Sequence, residues 1–275
     1  MARHSMWVSV LRKWAKMRDI YINIVDGTPR KIVAIAKRYP SGHYVEPHEH
    51  RRGQLMTASE GIILLTTPEG AWLMPPERGM WIPPGTVHHV RMIGTVEMHS
   101  LYIEADAVPG MPATCQVVGL SSFMRALMAE ALTCPLEYDL HGRDGALMDL
   151  ILCEVGRMPA LPLSLPYPAH EPLAARCQAF IAAPSIGETI DDWCTGLAMS
   201  RRTFTRLFRA QTGLSFANWR QQACLMAAMT KLVAGASVTA VAGELGYDNP
   251  AAFTSMFKRA FGAPPLTYLK LRANS

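Results

Sequence analysis

No apolar run in this 275-residue chain reaches the ~18–20 residues that a membrane span needs. Its six cysteines, Cys115, Cys134, Cys153, Cys177, Cys194 and Cys224, form no Cys-x-x-Cys pair. That excludes the common paired-cysteine zinc and dithiol motifs and leaves reduced thiols in packed helices as the expectation. Charge is sparse too. Asp, Glu, Lys and Arg make up 18% against 49% hydrophobic residues, a globular rather than a disordered balance. The first twenty residues lack the unbroken apolar stretch of a secretory signal, being interrupted by Arg12, Lys13, Lys16 and Arg18. A cytoplasmic protein without membrane contact is expected, with residues 1–30 an extension that is disordered or forms a short helix.

The length suits two domains, each with its own core. The net charge is +5, and all of the excess falls after His170, where 11 Lys and Arg face 6 Asp and Glu. A basic region confined to one part of the chain attracts polyanions.

The hydrophobic pattern changes along the chain. Lys31–Ala36, Gly61–Thr67, Ala71–Met74, Gly79–Ile82, Thr86–Val90 and Val96–Ile103 read as short strands, with Pro68-Glu69-Gly70 as a hairpin turn. Many short strands over 31–115 predict a barrel or sandwich. Leu120–Leu132 and Gly145–Met158 follow a helical period and predict a helix pair over 116–158, packed on the barrel or forming a dimer seam. Pro159, Pro162, Pro166, Pro168 and Pro172 then predict a semi-rigid spacer over 159–172. From Leu173 to Ser275 the pattern is all helical.

This last part contains a repeat. Phe204, Phe208 and Gly213 recur 49 residues later as Phe253, Phe257 and Gly262, and the helix N-cap residues Ser200 and Asn249 precede the two Phe pairs. A short amphipathic helix and a turn stand before each cap. The pattern is a helix-turn-helix, twice. Between the copies, Phe216–Val233 predicts one continuous helix of ~27 Å, a rod able to hold two recognition helices near successive major grooves.

The segment Glu171–Ser275 resembles the DNA-binding domain of the AraC/XylS family of transcriptional regulators. The likeness rests on Ala242-Gly-Glu-Leu-Gly-Tyr-Asp-Asn-Pro-Ala-Ala-Phe253, Phe257-Lys258 and Phe261-Gly262-Ala-Pro264-Pro265-Leu-Thr-Tyr268. On the first recognition helix the outward residues are Arg201, Arg202, Thr205, Arg206 and Arg209. The resemblance implies that Arg202, Thr205 and Arg206 face the groove, and Arg209 is expected to meet a phosphate. Arginine meets guanine O6 and N7 with both arms of its fork. On the second, Asn249, Ala251, Ala252, Thr254 and Ser255 are short and neutral. They are expected to anchor the backbone, helped by Lys258 and Arg259, so that the first copy does most of the base reading.

Gly42-x5-His48-x-His50-x3-Gln54-x6-Gly61 and Pro83-Pro84-Gly85-Thr86-Val87-His88 resemble the two cupin motifs. Gln54 stands where metal-binding cupins usually have Glu, and Glu77 where a leading glycine is expected. The fuller likeness is to the cupin-type sensor domains of the AraC family, in the NimR-like group. It implies an α+β multidomain chain, a jelly-roll-like cupin barrel followed by the all-α tandem helix-turn-helix. His48, His50, Gln54 and His88 offer a ligand set for one divalent transition metal, Zn, Ni, Fe or Mn. The same residues with Trp81 and Tyr102 equally suit a polar effector pocket without metal.

The expected function is a regulator, not an enzyme, whose barrel senses a small-molecule effector and modulates DNA binding or activation through the helix pair. The expected partners are operator DNA, the effector, RNA polymerase and a second copy of the chain in a homodimer. The competing readings are a metal-dependent cupin dioxygenase or isomerase with an appended DNA-binding domain, and an architectural DNA binder with a vestigial barrel.

Overall fold

The computed structural model describes residues 24–161 and 163–273. Of the expected N-terminal extension, residues 1–23 lie outside the described residues. The strands β1 (Ile32–Tyr39), β2 (Tyr44–His48), β3 (Gly53–Ala58), β4 (Ile62–Thr67), β5 (Gly70–Met74), β6 (Arg78–Ile82), β7 (His88–Ile93), β8 (Val96–Ile103) and β9 (Gln116–Gly119) come first. Helices α1 (Ser122–Ala131) and α2 (Arg143–Val155) come next, then β10 (Ala160–Leu161) and β11 (Ser164–Pro166). The remainder is α3 (Glu171–Ala182), α4 (Ile190–Gly196), α5 (Arg201–Thr212), α6 (Phe216–Val233), α7 (Val238–Glu244), α8 (Pro250–Phe261) and α9 (Pro265–Ala273).

The strands form two antiparallel sheets, β1-β8-β3-β6-β9-β10 and β11-β5-β4-β7-β2. Period-2 alternation divides each strand between two faces. On β8, Val96 and Met98 join the core between the sheets, while Leu101 and Ile103 join the cluster on the outer face of the first sheet. That outer cluster is completed by Met124, Leu127 and Met128 of α1 and by Met148, Ile151 and Val155 of α2. The helix pair therefore packs on the barrel.

The proline-rich segment is not a free spacer. Ala160 and Leu161 pair with Val118 and Val117, and Ser164, Leu165 and Pro166 pair with Trp72, Ala71 and Gly70. Each piece lies at a sheet edge, where proline's missing N–H leaves no ladder bond unmade. The segment thus stitches the barrel to the C-terminal helices.

The outer face of the second sheet is buried against those helices. Ile62, Ala71, Leu73 and Leu165 share one apolar cluster with Leu173, Cys177 and Phe180 of α3 and with Leu225, Met226 and Met229 of α6. The Trp219 indole N–H donates to the Pro166 carbonyl across this seam (2.9 Å). No helix among the described residues is long and apolar enough to cross a membrane.

Candidate nucleic-acid interface and effector cavity

Each expected recognition helix is bounded as the sequence predicts. Ser200 caps α5 by accepting the Thr203 N–H (3.2 Å), and Asn249 caps α8 by accepting the Ala252 N–H (2.8 Å). Gly213 and Gly262 close the two helices at φ 73° and 83°, a left-handed conformation that glycine adopts without steric cost. The repeat is not perfectly even. Thr189 and Ser237, which cap α4 and α7, are 48 residues apart, whereas Ser200 and Asn249 are 49 apart. The second turn therefore holds one extra residue. Its left-handed position is Gly246 (φ 75°), where the first turn has Ala198 (φ 51°).

Phe204 and Phe208 anchor α5 in the core, stacked on each other at 5.4 Å between ring centroids. That anchoring fixes which residues face outward. Arg201, Arg202, Thr205, Arg206 and Arg209 are exposed and together line one open, shallow concavity. Arg201 also meets Asp191 at 3.3 Å, a pair exposed on both sides that contributes little and can yield to a phosphate. On α8, Phe253 and Phe257 are the anchors. Asn249, Ala251, Ala252, Ser255 and Lys258 are exposed and Thr254 half-buried. Arg259 is exposed as well. At ~100° per residue it lies about 40° around α8 from Ser255 and 100° from Lys258. It also lines the seam with the barrel.

The barrel holds a cavity of about 70 Å³, floored by Met56, Val90, Met92 and Met98. His48 and His88 are register partners on β2 and β7, with ring centroids 4.3 Å apart, and His50 stands 5.1 Å from His88. His50 lies past a break in the pairing after β2, yet its ring converges with the others. Gln54 bonds His50 with one end of its amide (3.0 Å) and the Ser100 and Tyr102 hydroxyls with the other (2.9 and 3.2 Å). Ser100 is absent from the expected set, although it lies two residues before Tyr102 on β8 and so on the same face.

Trp81 is a correction. Ile82 is the register partner of Gln54 and Trp81 that of Leu55, so Trp81 faces away from the cavity. It packs in the cluster under α1 and α2, its indole N–H donating to the Pro112 carbonyl (2.9 Å).

The three imidazoles each turn Nδ1 to a backbone carbonyl. His48 meets Glu46, His50 meets Arg52 and His88 meets Thr86, at 2.8, 2.5 and 2.7 Å. A carbonyl only accepts, so each Nδ1 carries a proton; Nε2 of neutral His88 is then an acceptor, whereas Nε2 of His50 faces the Gln54 amide oxygen, itself an acceptor. Burial, reinforced by neighbouring His48, pushes His88 down to about 3. Burial also lowers His50 and raises Tyr102 to about 12. Burial thus favours the neutral forms of His50 and His88 in a compact site.

The expected metal set is brought together. The Gln54 amide is taken up by three protein partners and no carboxylate joins the imidazoles. Among the described residues no three His, Cys, Asp or Glu side chains are placed to hold a metal ion.

Residues 31–180 match the AraC-like ligand binding domain, and residues 193–271 match a helix-turn-helix domain. The HTH-type transcriptional regulator NimR of Escherichia coli (strain K12) is 34% identical over 222 residues, 81% of each chain. The HTH-type transcriptional regulator RipA of Corynebacterium glutamicum is 28% identical over 141 residues, 50% of this chain and 41% of RipA. Among solved structures, ToxT from Vibrio cholerae covers 87% of this chain and 98% of its own at 8% identity, with a TM-score of 0.37.

Proposed function

Because this chain belongs to the AraC family of transcription regulators, with an N-terminal ligand-binding domain and a C-terminal helix-turn-helix domain, we propose that a small polar effector in the barrel sets how the first recognition helix reads its operator. The observation that carries this reading is that one layer of sheet separates the cavity from the DNA-binding domain. Ile63, Leu65, Met74, Val90 and Met92 face the core between the sheets. Ile62, Leu64, Ala71, Leu73 and Ile93, their neighbours on the same strands, pack with α3 and α6. A ligand that shifts the inner face moves the seat of the rod between the two recognition helices. This route replaces the one expected through α1 and α2, whose apolar cluster includes no residue of the DNA-binding helices. The effector must bind the two arrangements with different affinity, or nothing shifts.

The pocket favours a compact effector bearing a hydrogen-bond donor, which Nε2 of His88 can accept. It supports binding rather than proton transfer, since His88 and Tyr102 hold their neutral forms across the physiological range. The regulator acts on cytoplasmic operator DNA and contacts RNA polymerase there. A homodimer through α1 and α2 is part of the same reading, supported by exposed Phe123, Leu140 and Leu150.

The test is a reporter under an operator selected from random duplex DNA, screened against small molecules. Gln54→Leu is expected to abolish the response while leaving operator affinity within about twofold. A variant that still responds would remove the barrel from the account. Metal analysis of the purified protein is expected to find well below one equivalent of Zn, Ni, Fe or Mn. One equivalent kept by the wild type and lost in His50→Ala would instead restore the metal centre.

A further inference from the structure

A cavity of about 220 Å³ lies on the outer side of the first sheet, where α1 meets the turn between β5 and β6. It is smaller than the ~300–1,000 Å³ of drug-sized sites. Glu77 of that turn, His99 of β8, and Arg125 and Met128 of α1 line it. His99 stands between Met98 and Ser100, which both line the barrel cavity, so period-2 alternation turns it to the opposite face. The sheet therefore separates the two cavities, and no residue of the DNA-binding helices lines this one.

Two observations concern its chemistry. The first is the backbone of Glu77. It takes φ 62°, a left-handed conformation that strains a glutamate and not a glycine. The Glu77 N–H donates to the Ala58 carbonyl (3.1 Å) and the Arg78 N–H to the Pro75 carbonyl (3.3 Å), which holds the turn in this form. The chain thus carries a carboxylate at a position where glycine would sit without strain. The second is that the charges around the cavity are of both signs and do not meet. Among the described residues the Glu77 carboxylate and the His99 ring have no hydrogen-bond, ion-pair or ring partner. Arg125 directs Nη1 to the Leu120 carbonyl (3.0 Å) and leaves the rest of its fork open. Opposite charges that border one half-enclosed space without pairing suit a ligand that carries both. The guanidinium fork fits a carboxylate, and the Glu77 carboxylate fits an ammonium.

We propose that this cavity is a binding site, distinct from the barrel cavity, for an α-amino acid with a small apolar side chain. Its carboxylate meets Arg125 and its ammonium meets Glu77. Its side chain lies against Pro76 and Met128, with His99 as a further hydrogen-bond partner. Because Glu77 belongs to the barrel and Arg125 to α1, the bound zwitterion favours the arrangement in which α1 is seated on the sheet. It does so independently of any effector in the barrel.

The test is isothermal titration calorimetry of the full chain with L-leucine, L-valine and L-methionine. At least one of them is expected to bind saturably at one equivalent. Its deaminated acid and its decarboxylated amine are each expected to bind at least tenfold more weakly. Glu77→Gln and Arg125→Gln are each expected to weaken the amino acid at least tenfold. Glu77→Gln is expected not to weaken the deaminated acid, which has no ammonium to lose a partner. Glu77→Gly separates the site from the fold. It is expected to melt no lower than the wild type, because glycine takes φ 62° freely, and still to lose binding at least tenfold. His88→Ala in the barrel is expected to leave binding unchanged, which keeps this result separate from the barrel reading. Lack of saturable binding by all three amino acids, undiminished binding in Glu77→Gln or Arg125→Gln, equal binding of either analogue, a lower melting temperature for Glu77→Gly or loss on His88→Ala would each overturn the proposal. Thermal melts by circular dichroism identify a variant that has lost its fold, and Arg125→Lys, expected to weaken binding at least threefold, then decides.

Discussion

Arg206→Ala is expected to weaken binding to a selected operator about 5- to 150-fold and to relax the base preference at one position. The range comes from about 1–3 kcal/mol for a bidentate arginine–guanine contact, at about 1.4 kcal/mol per tenfold. Arg206 is exposed on α5 in the same open concavity as Arg202, one helical turn earlier. Thr254→Ala on α8 is expected to cost no more than a few-fold, because a half-buried threonine offers at most one hydrogen bond or a methyl contact. Arg209→Ala is expected to weaken all sequences alike and to reduce the salt slope by about 1, the signature of a phosphate contact. Titrations of the three variants against operator and scrambled duplexes at two salt concentrations separate these outcomes. Equal losses of specificity for Arg206→Ala and Thr254→Ala would end the asymmetric reading.

Trp193→Ala is expected to cost about 3–5 kcal/mol of stability, the range for deleting a large buried aromatic. Trp193 is wholly buried on α4. Its ring lies 4.8 Å from Phe216, 5.6 Å from Phe180 and 6.0 Å from Trp219 between centroids, and it also touches Phe204 and Phe208. Its indole N–H donates to Glu188 (2.6 Å), which also pairs with Arg176 (2.7 Å). Truncation therefore opens a cavity and removes a partner from a carboxylate. The matching residue of the second copy, 48 positions on, is Val241, also wholly buried. Val241→Ala removes far fewer atoms and should cost less. Urea unfolding followed by circular dichroism measures both. A loss below about 1.5 kcal/mol for Trp193→Ala would show that the aromatic cluster does not hold the first helix-turn-helix together.

The helical half was legible because its signals are local. A cap, a period of 3.6 and a terminal glycine each lie within one turn of the element they define, and Phe216–Val233 forms the rod that its pattern predicts. The barrel was legible as a class but not strand by strand. β2 and β3 carry Glu46, His48 and Gln54, and they are strands because of their partners rather than their composition. β10 and β11 were hidden by flanking prolines, which edge strands tolerate. Trp81 stands beside the cupin-like stretch Pro83–His88, and its place in the sequence does not say which face of the sheet it takes. Only the register against β3, with Ile82 opposite Gln54, shows that it faces away from the cavity. Arg259 follows Lys258 by about 100° of rotation, so it also borders the seam with the barrel, which sequence position alone does not reveal. The coupling route was beyond sequence reasoning, since nothing local says which sheet face meets which helix.

The central claim is that this regulator touches DNA in two places and reads bases chiefly in one. Guanine-methylation interference on the selected operator tests it most directly. The account predicts two protected regions about 10–10.5 base pairs apart, centre to centre, with strong interference from N7-methylated guanine in the half contacted by α5 and little in the half contacted by α8. Interference of equal strength in both halves would contradict it.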